Sequence, residues 1–125
     1  VLTVRALAVH QDALERDVET LRGKLATRDL SYRDLAASLY TQLLGPVASS
    51  LRGKTLVGIV PDGPLWSVPF QALTTTSGRA FIEDHAVFYS PSLTTLRESV
   101  RLRRPAPADR SLTLMAMGGP TLGAD

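Results

Sequence analysis

The sequence contains no cysteine. That excludes a disulfide, a thiolate metal site and a cysteine nucleophile within these 125 residues. Histidine is almost as scarce, with only His10 and His85. Lysine is scarce too, at 2 residues against 12 arginines, and the formal net charge is only +2. We read the arginine excess chiefly as base composition of the gene and only secondarily as phosphate affinity. No apolar run approaches the roughly 20 residues a membrane helix needs, and no signal-peptide pattern opens the chain. The expectation is a soluble, cytoplasmic protein with no membrane partner. Internal repeats and low-complexity tracts are missing as well.

What is present is ordinary globular composition, 44% apolar and 21% charged. A chain of 125 residues is long enough for one domain with a real core. It opens in an expected strand over Val1–Ala6 and closes in a turn, Met117–Asp125, after another strand. We therefore expect a part of a larger protein, apparently truncated.

Leu14, Val18, Leu21 and Leu25 recur at helical spacing, so a helix is expected from near His10 to the region Ala26–Asp29. A second helix is expected from Ser31, capped through Asp34 three residues on, with Leu35, Leu39 and Leu43 as its apolar stripe. Gly45-Pro46 interrupts it, and Pro46–Leu51 reads as a short helix set at an angle. Leu56–Val60 and Ala86–Ser90 read as buried core strands, and Leu112–Met117 as a third. Between the first two, Leu65–Leu73 reads as irregular extended chain because Pro69 cannot donate to a ladder. Thr74–Arg79 is a polar loop. Ser92 is a good N-cap for a helix carrying Leu93, Leu96 and Val100 on one face and Arg97, Arg101 and Arg104 on another. Strands joined by a connection of this length predict a parallel crossover and the α/β class.

Asp62-Gly63 falls at the carboxyl end of an expected parallel strand, where ligands of open α/β sheets bind. Asp62 is a candidate substrate-pocket residue; the plainer alternative is a tight turn in which Gly63 supplies a positive φ. Trp66, Val68 and Phe70 alternate and would share one side of an extended segment. Trp66 is the second candidate for a pocket wall, against the alternative that all three are core. His10 and His85 have no metal partner or Gly-x-Ser-x-Gly context nearby. A serine triad can assemble from distant residues, so spacing alone leaves that chemistry open. Gly118–Gly123 is glycine-rich but lacks the Lys-Ser/Thr of a phosphate loop, and Pro120 removes a donor. No cofactor and no metal is expected. Arg97, Arg101, Arg103 and Arg104 form a basic run that would suit nucleic acid. It carries no interleaved aromatics, and a solvated helix face is the favoured alternative.

The order of motifs resembles a known family. It runs Leu39-Tyr40, Leu43-Leu44, Pro46; Leu56-Val57, Ile59-Val60-Pro61-Asp62-Gly63; Leu65, Pro69-Phe70, Ala72-Leu73; Ala86-Val87, Tyr89-Ser90-Pro91-Ser92-Leu93; and Ala116-Met117-Gly118, Pro120. This is similar to the amino-terminal half of a CHAT domain, a caspase-like domain found beside tetratricopeptide repeats in bacterial proteins and related to separases. The resemblance implies a partial caspase-like α/β sandwich with a mainly parallel sheet flanked by helices. It implies a leading strand and helical segment over residues 1–54 and the first half of the core over 55–125. It also implies cysteine peptidase chemistry by a His-Cys dyad lying beyond the segment Gly118–Pro120, hence outside this chain. The partners implied are the remainder of the domain, flanking repeats, and a protein or peptide substrate. An unfinished sheet edge would also favour pairing with a second copy. The alternatives are a degenerate, non-enzymatic interaction module and a nucleic-acid binder using the Arg97–Arg104 helix.

Overall fold

The computed structural model describes residues 4–102. The expected strand over Leu112–Met117, the Gly118–Gly123 loop and Arg103 and Arg104 lie outside them. Residues 4–10 carry no regular structure, so the described part of the expected Val1–Ala6 strand is not a strand; Val4 is 81% exposed and has no sheet to join.

Helix α1 spans Gln11–Ala26 and buries Leu14, Val18 and Leu21, the expected stripe. Asp12 in its first turn and Lys24 in its last complement the helix dipole. It ends in a Schellman turn: the Asp29 N–H donates to the Lys24 carbonyl at 2.9 Å and the Arg28 N–H to that of Leu25 at 3.2 Å. Arg28 holds the left-handed position, φ +56°, where glycine is the usual occupant. This turn changes how helix α2, Tyr32–Leu43, begins. Ser31 and Asp34 do not form the expected cap. Instead the Asp29 carboxylate accepts the Ser31 N–H at 2.9 Å, and Lys24 ties both Asp29 (3.2 Å) and the Ser31 hydroxyl (2.6 Å). Ala36, Leu39, Tyr40 and Leu43 face α1 and the interior. Each fully buried leucine contributes about 1.5–3 kcal/mol, which makes the hairpin's seam the first source of stability. After it come a 3-10 turn over Gly45–Val47, with Pro46 in its first turn, and the short helix α3, Ala48–Leu51.

Strands β1 (Leu56–Ile59) and β2 (Ala86–Tyr89) pair in parallel, with Leu56 opposite Ala86 and Ile59 opposite Tyr89. Val57, Ile59, Val87 and Tyr89 pack against the core cluster, while Leu56, Gly58 and Ala86 are exposed and Phe88 half-exposed. The strands are therefore covered on one face, not buried on both as their apolar sequences suggest. The fold is mixed α/β, a two-stranded parallel sheet flanked by helices, consistent with part of a caspase-like sandwich.

The connection between the strands supplies much of the core. Residues Leu65–Leu73 are not extended. They lie in two 3-10 turns, Gly63–Ser67 with Pro64 in its first turn and Phe70–Ala72 preceded by Pro69, where the fixed φ of the ring suits the turn. Alternation is lost with the extended geometry: Val68 and Phe70 are buried, but Trp66 is 50% exposed. The chain then reverses through a turn at Thr75–Gly78, bridged Thr74 to Ala80, into helix α4, Phe81–Asp84. Phe81 is fully buried against Tyr40, with ring centroids 6.1 Å apart. Helix α5, Leu93–Leu102, follows β2 and is capped as expected, the Ser92 Oγ accepting the Thr95 N–H at 3.0 Å.

Candidate functional site at the carboxyl edge of the sheet

Both strands leave the sheet through a proline. β1 runs through Val60 and the buried Pro61 into Asp62-Gly63-Pro64. The Asp62 carboxylate accepts its neighbour's Gly63 N–H at 2.9 Å, the Asp62 carbonyl accepts the Leu65 N–H at 3.1 Å, and Gly63 sits at φ +51°. This is the tight turn that the Asp-Gly pair suggests, and the carboxylate stays exposed on its outer side. β2 runs through Ser90-Pro91-Ser92. The Ser90 N–H donates to the Ile59 carbonyl at 2.9 Å, adding a last rung to the ladder, and its buried hydroxyl donates to the Ser92 carbonyl at 2.9 Å. With both backbones turned away, this end of the sheet is open, as in other parallel sheets that bind ligands there.

Asp62 lines a mostly apolar cleft of about 260 Å3 with Leu7, Val9, Leu14, Leu43 and Pro64. Trp66 is not part of that lining. The turn puts it on the surface next to the edge, so the two candidates are near in sequence but do not share this cleft. The one acid–base perturbation near the edge is Tyr89, whose phenol is pushed up by burial. Its hydroxyl donates to Gln71 Oε1 at 2.8 Å, tying β2 to the second 3-10 turn. The motif order includes Tyr89 but nothing in the sequence singles out Gln71, and only the crossover brings the two together.

The histidines lie elsewhere. His10 is exposed at the start of α1, its carbonyl accepting the Leu14 N–H. His85 sits at the opposite, amino end of the sheet and donates from Nδ1 to the Lys54 carbonyl at 2.6 Å. On α5, Arg97 and Arg101 both pair with the single Glu98, at 3.2 and 3.5 Å, which offsets half of their charge. Among the described residues, no helix is long and apolar enough to cross a membrane, and no three His, Asp or Glu side chains are grouped as a metal site would require.

No curated protein and no solved structure matches the chain. The family model of the CHAT domain does match, over residues 33–125, a span that takes in α2, the sheet, its crossover and the carboxyl edge described above. The chain belongs to the CHAT domain family.

Proposed function

We propose that this protein forms the cleft-shaping part of a bacterial, cytoplasmic CHAT-domain cysteine peptidase whose His-Cys dyad is supplied by residues outside these 125. The observation that carries this reading is the carboxyl edge of the parallel sheet. There two proline turns clear the strand ends and leave Asp62 exposed in a family that the resemblance links to peptidase chemistry. In such a dyad the imidazole raises the thiolate fraction of the cysteine, and the thiolate attacks the scissile carbonyl. The residues described here form walls and do no bond-breaking. Asp62 would favour a basic side chain next to the scissile bond by charge pairing, with Leu7, Val9 and Leu43 of the same cleft as its apolar wall.

The test is peptide hydrolysis by the longer protein that contains these residues. Cleavage that iodoacetamide abolishes is the expected result. Asp62→Asn should then lower kcat/KM for Arg and Lys substrates about tenfold and leave uncharged substrates unchanged. A second reading is a non-enzymatic interaction module that works with flanking repeats, which loss of the dyad His or Cys in the longer protein would favour. Thiol-independent or undetectable cleavage would overturn the peptidase reading and support that one.

A further inference from the structure

A cavity of about 200 Å3 opens at the amino end of the sheet, opposite the edge discussed above. It is lined by Tyr40, Leu51, Arg52, Thr76, Ser77 and His85, with Asp84 at its side. Several of these groups are hydrogen-bond donors. Tyr40 is 93% buried by the complement of its 7% exposure, yet no described residue bonds its hydroxyl. No buried side-chain polar atom among the described residues lacks a partner, so this hydroxyl is within reach of solvent, and Tyr40 lines this cavity. A mostly buried phenol whose O–H is reachable from a pocket offers a donor on a rigid ring.

The other walls add donors. The Thr75 hydroxyl gives its proton to the Arg79 carbonyl at 3.0 Å, so in its 2.9 Å contact with Ser77 the proton comes from Ser77 and can rotate to a ligand instead. Neither the Thr76 nor the Ser77 N–H donates to a described residue. His85 is held by its Nδ1–H bond to Lys54 and by the Phe81 ring, centroids 4.6 Å apart, which leaves Nε2 as its free edge. Arg52 makes none of the ion pairs among the described residues. The acid of the lining, Asp84, pairs with Arg79 at 2.8 Å, a guanidinium it shares with Glu83 at 3.3 Å. Arg52 is thus a cation in the lining without an ion pair among the described residues, beside O–H and N–H donors.

We propose that this cavity binds a phosphate-type oxyanion, held by Arg52, the Tyr40 hydroxyl, and the Thr76–Ser77 turn, with His85 beside it. Guanidinium and hydroxyl donors are the groups that recognise such anions. Free phosphate and a small phosphomonoester present the same chemistry. The site stands at the other end of the sheet from Asp62 and is independent of the peptidase reading.

The experiment is an NMR titration of the 125-residue protein at constant ionic strength, with inorganic phosphate in one arm and phenyl phosphate in the other. Saturable shifts of the Thr76 and Ser77 amides and the His85 ring are expected, with a Kd below roughly 10 mM. Arg52→Gln should weaken binding about tenfold, and Tyr40→Phe, which keeps the ring packing, about threefold to tenfold. Tighter binding of phenyl phosphate would identify an ester as the natural source; equal binding would identify phosphate alone. Shifts that do not saturate, or an affinity unchanged in both variants, mean an adventitious ion only and overturn the proposal.

Discussion

Gly58 offers the sharpest test of the sheet's outer face. A Cβ built on it would stand 2.5 Å from Phe88 Cζ and 3.0 and 3.1 Å from Cε1 and Cε2. Carbon atoms in contact prefer about 3.5–4.0 Å, so the ring would have to retreat by about 1 Å. Phe88 is the cross-strand partner of Gly58 and is half-exposed, so the ring can swing outward rather than force the backbone apart. That places the overpacking cost near the middle of the usual range of about 1–3 kcal/mol. Alanine restricts the unfolded chain more than glycine does, which returns about 0.4–1 kcal/mol. Gly58→Ala should therefore destabilise the protein by about 1 kcal/mol. In a Phe88→Ala background the obstacle is gone, and the same substitution should stabilise by about 0.4–1 kcal/mol. The coupling between the two sites is then about 1.5–2 kcal/mol. Urea unfolding of the four proteins reads it directly: at a slope of about 1–3 kcal/mol/M, Gly58→Ala alone should lower the midpoint by about 0.3–1 M. A neutral or stabilising Gly58→Ala with Phe88 in place would refute the reasoning, as would the same cost in both backgrounds.

Two further outcomes follow from the helix ends. Arg28→Gly should stabilise the protein by about 0.5–1 kcal/mol, because the left-handed backbone costs a side-chain-bearing residue about 1–2 kcal/mol and glycine's added unfolded-state freedom takes back only part of that; a lower melting temperature would contradict it. Glu83 is held below the usual carboxylate range, first by the Ala80 N–H at 2.7 Å and then by the Arg79 guanidinium. Its folded pKa lies below its unfolded one, so its contribution is present above about pH 4.3 and fades as the pH falls through the lower folded value. Glu83→Gln should make the acid limb of a melting-temperature profile shallower, and an unchanged limb would count against this coupling.

The parts of the fold that were legible in the sequence are those with local causes. The stripe Leu14, Val18, Leu21 lies on one face because a helix repeats every 3.6 residues, whatever surrounds it. Ser92 caps α5 because its hydroxyl needs only the N–H three residues on. The motif order from Leu39 to Pro120 was specific enough to place the chain in the CHAT family, which the family match bears out. The start of α2 was misread because Asp29 is delivered there by the Schellman turn that ends α1, and that turn has an arginine where glycine would have signalled it. The expected extended chain over Leu65–Leu73 fails because proline suits a 3-10 turn as well as an extended edge, and only packing against α1 and α4 separates the two.

The sequence by itself determined helices α1 and α5, the body of α2, the strands β1 and β2 and the Asp62-Gly63 turn, since hydrophobic period, proline and glycine act over a few residues. The tertiary structure decided everything that depends on distant residues meeting. It buried Val68 and Phe70 but left Trp66 outside, covered one face of the sheet and left Leu56 and Gly58 exposed, and joined Tyr89 to Gln71. It also brought Tyr40, Arg52, Ser77 and His85 around one cavity. No spacing along the chain encodes such a meeting, because it follows from how the parallel crossover folds residues 60–85 back over the helical hairpin.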